Sequence, residues 1–302
     1  MALDSPTRTP LAPFTPAAVG LTLFVAMAEI RMDDPWSTGA LLALAAVPAI
    51  LLLTAGLAAT RGGNGSPAAV TIHLVAGLVL AGIAISRLGN VVDGDRATSS
   101  GGALTFMLLG FAALAWFCTL RSRSVACLLI AALASVGLWV EAVNWIFDTE
   151  NLDTYRALLA ASFALLFAAG TARGERPGTV LVAAAGIVAL VSAALNGVPV
   201  FFVFSEGDGA GWGWELVALA QGLALLAYAA AWLEPGPGYL AFFALGLFVM
   251  GAGVGTGVEL IDSGSDEPSS PSLAGWPLAL AIATVLATLW GLRSARITNQ
   301  GH

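Results

Sequence analysis

Ten apolar runs follow one another along the chain, each near the length of helix, about 20 residues, that crosses a bilayer core of about 30 Å. Bracketed by charge, Gly and Pro, they cover Pro16–Arg31, Gly39–Ala59, Ala68–Val92, Ala103–Leu120 and Val125–Phe147. The second half continues with Thr154–Ala172, Thr179–Phe204, Trp212–Leu233, Tyr239–Ile261 and Leu273–Leu292. The runs are continuous and lack the alternation, about ten residues at a time, that a lipid-facing barrel strand requires, so they predict helices. The pattern predicts an all-α polytopic membrane bundle of about ten spans. Residues 1–14 and 294–302 are short tails, and 15–293 is one transmembrane domain. Ala26-Met27-Ala28 looks like a leader-peptide cleavage site, but the segment before it has one Arg and one Asp among several Pro and Thr, a poor leader, so the first run is read as an uncleaved helix.

Composition changes this picture little. Of 302 residues, 58% are hydrophobic and 10% charged, whereas a water-facing domain carries about 25% charge. All 12 basic residues are Arg. Without Lys there is no Schiff base and no P-loop lysine, which excludes retinal attachment. The two cysteines, Cys118 and Cys127, are read as small apolar packing residues.

Charge gives the orientation. With the N-terminus cytoplasmic, Arg8, Arg61, Arg121, Arg123, Arg173, Arg176, Arg293 and Arg296 fall inside, and Arg31, Arg87, Arg96 and Arg156 fall outside. That bias satisfies the positive-inside rule and predicts an N-in, C-in protein of the cell membrane, of bacterial plasma-membrane type. Only Asp4, Glu175 and Glu234 lie inside among the acids. The spans then pair as five hairpins, each turning in an acidic outer loop: Asp33-Asp34, Asp93-Gly94-Asp95, Asp148-Thr149-Glu150, Glu206-Gly207-Asp208 and Asp266-Glu267. Duplication of one unit accounts for this rhythm, and so does alternating topology alone.

The polar positions offer few chemistries. Acidic turns raise the local cation concentration, but no twelve-residue calcium loop is present. His73 stands alone near the inner end of the third run, with no second internal His and no Cys-x-x-Cys, so no haem, zinc or copper set forms and no cofactor is expected. No Ser, His and Asp combination can be assembled, so no enzyme is expected. Gly251, Gly253, Gly255 and Gly257 alternate ahead of Glu259, which reads either as close helix packing or as an unwound segment lining a cavity. Asn196-Gly197-Val198-Pro199 in the seventh run and Pro48 in the second predict kinks. Gln221 is an amide in the middle of the eighth run, read as a glue between helices or a solute contact.

Arg87 and Glu141 lie at similar depths, five or six residues short of the outer ends of the third and fifth runs, and Asn90 and Asn144 follow each by three residues. A charge at membrane depth needs a partner. The expectation is an outer-leaflet polar cluster in which Arg87 pairs with Glu141, joined by Asn90, Asn144 and either Asn196 or Glu259; the competing reading has each charge reach the headgroups alone. With Gln221, these residues are the candidate solute path. In length and span count only, the layout resembles that of drug/metabolite-type permeases; no motif of that family is present, and the long acidic turns depart from its compact loops. Two functions follow as expectations. One is a permease for a small solute or cation, and the other is a non-transporting scaffold, sensor or subunit of a larger membrane assembly. The expected partner is the lipid bilayer, with a small solute or cation in the first case and no nucleic acid in either.

Overall fold

The computed structural model describes residues 11–31, 36–62, 66–93, 101–149, 151–174, 176–195 and 212–262, with side chains of the last helix to Phe248. The described residues form helices and short turns, with no strand. After a single 3-10 turn at Ala12–Phe14 come α1 (Thr15–Arg31), α2 (Thr38–Gly62), α3 (Pro67–Asp93), α4 (Gly101–Ser122) and α5 (Val125–Phe147). Then follow α6 (Leu152–Arg173), α7 (Arg176–Leu195), α8 (Trp212–Trp232) and α9 (Pro235–Asp262). The 8 helices that include α1 to α8 are long and apolar enough to cross a membrane. Helix α9 occupies the ninth predicted span, and the tenth, Leu273–Leu292, lies outside the described residues. The chain is thus an all-helical membrane protein, with eight spans recognised among the described residues where the sequence predicts about ten.

Among the described residues the predicted ends agree with the observed ones within a few residues, the predicted end of the seventh run at Phe204 lying outside them, because burial in lipid forces every backbone amide of a span into helix until charge, Gly or Pro allows exit to water. Helix α2 runs unbroken through Pro48. The break expected at Asn196–Pro199 lies outside the described residues; α7 is helical up to Leu195.

The chain forms two compact units, Met1–Glu150 and Asn151–His302. In the first, α3 is the centre and touches α1, α2, α4 and α5; in the second, α7 touches α6, α8 and α9. The tightest pairs are α2 with α3, α4 with α5, α6 with α7 and α8 with α9. Three of these hairpins turn at arginine-bearing ends, and α8 with α9 turns at Leu233 and Glu234. This corrects the phase of the predicted hairpins, which turn at the acidic ends: α5 and α6, the predicted third hairpin, fall in different units. Turn length accounts for three of the four pairs, each joined across two residues, whereas α2–α3 and α5–α6 both have four residues between their helices. Only Arg123 and Ser124 separate α4 from α5, whereas residues 94–100 and 196–211 separate α3 from α4 and α7 from α8. A two-residue turn leaves its helices no choice but to lie antiparallel side by side. Arg123, with φ of 53°, and Leu233, with φ of 59°, enter the left-handed region to make such reversals.

Small residues let the paired helices close. A Cβ added to Gly56 would stand 2.8 Å from Leu74 Cδ2, and one on Gly77 would stand 2.7 Å from Leu53 Cγ. The two contacts are reciprocal across the antiparallel α2 and α3. In the second unit a Cβ on Gly170 would meet the Gly178 carbonyl oxygen at 2.7 Å, so α6 and α7 approach backbone to backbone. Large apolar side chains such as Leu23, Phe24, Ile50, Phe106, Leu165, Phe242 and Phe243 remain exposed. Such surface needs lipid for a solvent.

Candidate functional site

Depth along the helix was the property that singled out Arg87, and at its depth the structure provides a carboxylate from α1. Arg87 Nε donates to Glu29 Oε2 at 2.6 Å. Both side chains are largely withdrawn from the surface, and the other carboxylate oxygen, Glu29 Oε1, is buried without a partner among the described residues. The expected partner was Glu141, and that pairing is corrected. Helices α1 and α3 pack directly, and they place Glu29 and Arg87 together near the ends that face the acidic turns. Glu141, on α5, has no ion pair or hydrogen bond among the described residues.

The two asparagines do not join this pair into a network. Asn90, one turn beyond Arg87 on α3, has its Oδ1 buried and unpartnered among the described residues. Asn144 closes α5 instead. Its Oδ1 accepts from Thr149 Oγ1 at 3.0 Å, and its carbonyl accepts from the backbone N–H of Asp148, which is left-handed at the helix end. Its Nδ2 is buried without a partner among the described residues. Asn196 lies outside the described residues. Glu259 falls within α9, and its side chain lies outside them as well.

Gln221 belongs to the second unit. It sits nine residues into α8, about 14 Å from the helix start at a rise of 1.5 Å per residue, and is 4% exposed. Neither Oε1 nor Nε2 has a hydrogen-bond partner among the described residues. No interhelical bond to the Gln221 amide is present among the described residues.

Two charged residues inside spans escaped the sequence reading. Glu29 is the first, and it stood inside the first run as bracketed; counting it as a third charge at depth would have given Arg87 a second candidate. Arg156, on α6, is 6% exposed. Its Nη1 donates to Asp153 Oδ1 at 2.9 Å and its Nη2 to the Leu195 carbonyl at 3.1 Å. The guanidinium thus covers the end of α7, where unsatisfied carbonyls concentrate negative partial charge. Cys118 and Cys127 are buried and free. Among the described residues no group of three His, Cys, Asp or Glu side chains is placed to hold a metal ion.

No family model matches the chain, and no curated protein and no solved structure matches it either.

Proposed function

We propose that the protein is a permease for a small polar solute, seated in the cell membrane with its arginine-bearing turns toward the cytoplasm. The observation that carries the reading is Gln221. A primary amide in the middle of a span, buried and with both its donor and its acceptor unmet among the described residues, is costly by about 1–3 kcal/mol where no partner reaches it. Structural use of the residue would bring it a partner, whereas a solute that passes or pauses there brings both an acceptor and a donor. Interhelical amide bonds are worth only about 0.6–2 kcal/mol, so loss of one in exchange for transient solute contact is energetically open. The surplus of acids in the turns on the other side supports a preference for cationic or neutral solutes over anions, through the local potential.

Flux through reconstituted liposomes tests the proposal, with a panel of alkali and divalent cations, amino acids, sugars and polyols. Uptake of at least one solute, lost in Gln221→Leu while that variant melts at the same or a higher temperature, is the expected result. No flux of any solute favours a scaffold, sensor or assembly subunit. A Gln221→Leu variant that melts markedly lower makes the amide a structural bond.

A further inference from the structure

A histidine beside an apolar pocket lies in the first unit and has no part in the reading above. The start of α1, the C-terminal half of α2 and the start of α3 line an open pocket of about 430 Å³. Leu11, Phe14, Ala18, Leu21 and Leu52 are among its walls, and His73 is its one ionisable lining residue. The volume falls within the 300–1,000 Å³ usual for small-molecule sites. Phe14 and Leu51, which line it, are exposed apolar side chains among the described residues. His73 lies six residues into α3, about 9 Å below the helix start.

The imidazole is 2% exposed. Its Nδ1 lies 2.8 Å from the Ala69 carbonyl oxygen. A carbonyl only accepts, so Nδ1 carries a proton, and in the neutral tautomer that this bond selects Nε2 is a lone-pair acceptor. No described residue bonds Nε2. A histidine kept for packing alone would have both nitrogens met or would be replaceable by the Leu residues around it.

We propose that this pocket binds a membrane-dissolved amphiphile with an apolar body and one hydroxyl, which donates to His73 Nε2. The apolar walls select the body, and the single acceptor selects the hydroxyl. A quinol, through one of its two hydroxyls, and a protonated fatty acid, through its carboxyl O–H, both present such a donor.

The test uses the full chain in lipid nanodiscs and two probes, 4-octylphenol and its methyl ether, which keeps the body and loses the donor. Ring-¹⁵N histidine spectra, with His302→Ala to leave one imidazole, report the Nε2 resonance directly. The phenol is expected to shift that resonance and to bind about tenfold tighter than the ether, the effect of one buried hydrogen bond. In His73→Leu the preference for phenol over ether disappears, and in Ala55→Phe, which fills the pocket, both probes are lost. Ala55→Phe keeps the test decisive if His73→Leu fails to fold. Displacement of the phenol by a short-chain quinol or by dodecanoic acid identifies the source. Equal affinity for phenol and ether, an unmoved Nε2 resonance, undiminished binding to Ala55→Phe, or displacement by neither competitor overturns the assignment. The readout is binding in the first unit, so it stands or falls apart from any flux that depends on Gln221.

Discussion

Replacing Arg87 by Leu leaves the Glu29 carboxylate buried with neither oxygen bonded among the described residues, since Oε1 is already without a partner. The pair is 2.6 Å apart, and the side chains are 18% and 11% exposed, so little solvent screens it. At an effective dielectric of about 20 the Coulomb attraction is on the order of 6 kcal/mol. Much of that offsets the desolvation of two ions. Removing one partner from such a pair is nonetheless destabilising by about 3–5 kcal/mol, because the other charge stays buried alone. At about 2–4 °C per kcal/mol for a chain of this order of size, the melting temperature falls by about 10 °C. Glu29→Leu is milder, because Arg87 retains interactions beyond Glu29. The double variant Arg87→Leu/Glu29→Leu is less damaged than Arg87→Leu, because it buries no stranded carboxylate. Thermal unfolding in mild detergent, followed by size-exclusion of the surviving monodisperse fraction, measures all three. A fall below about 2 °C for Arg87→Leu, or a double variant that loses the sum of the two single losses, refutes the reasoning.

Two further outcomes follow from the packing and the charge pattern. Gly170→Ala forces α6 away from α7, since the new methyl would lie 2.7 Å from the Gly178 carbonyl oxygen, and it is expected to destabilise by about 1–3 kcal/mol; Gly110→Ala, with nothing within 4 Å, is the neutral control in the same melting assay. In a background without Cys118 and Cys127, a cysteine at Ser122 is expected to react with an impermeant maleimide only in opened cells and one at Asp148 in intact cells. The reverse pattern would invert the orientation read from the arginines.

Helix ends were legible because the bilayer imposes a one-dimensional rule. Val125–Phe147 is bounded by Ser124 and Asp148, and the same residues appear as the ends of α5. Depth is legible for the same reason: counting 1.5 Å per residue placed Arg87, Glu141 and Gln221 below the interface before any helix had a neighbour. Hairpin phase was not legible from charge, since the acidic turns set a rhythm while the two-residue turn at Arg123 and Ser124 decides which helices touch.

The sequence by itself therefore determined the helical class, the bounds of the helices among the described residues and the place of each polar group along its helix. Those are properties of a chain measured along its own axis, against a solvent of fixed thickness. Only the tertiary structure decided that Arg87 meets Glu29 and not Glu141, that Arg156 covers the end of α7, and that Gln221 meets no described partner. Pairing depends on the angle around each helix and on which helix lies alongside. In an apolar bundle, where nearly every face is Leu, Val or Ala, lipid and protein interior look alike to the sequence. Close approach at glycines such as Gly56 and Gly77 then fixes which faces come together.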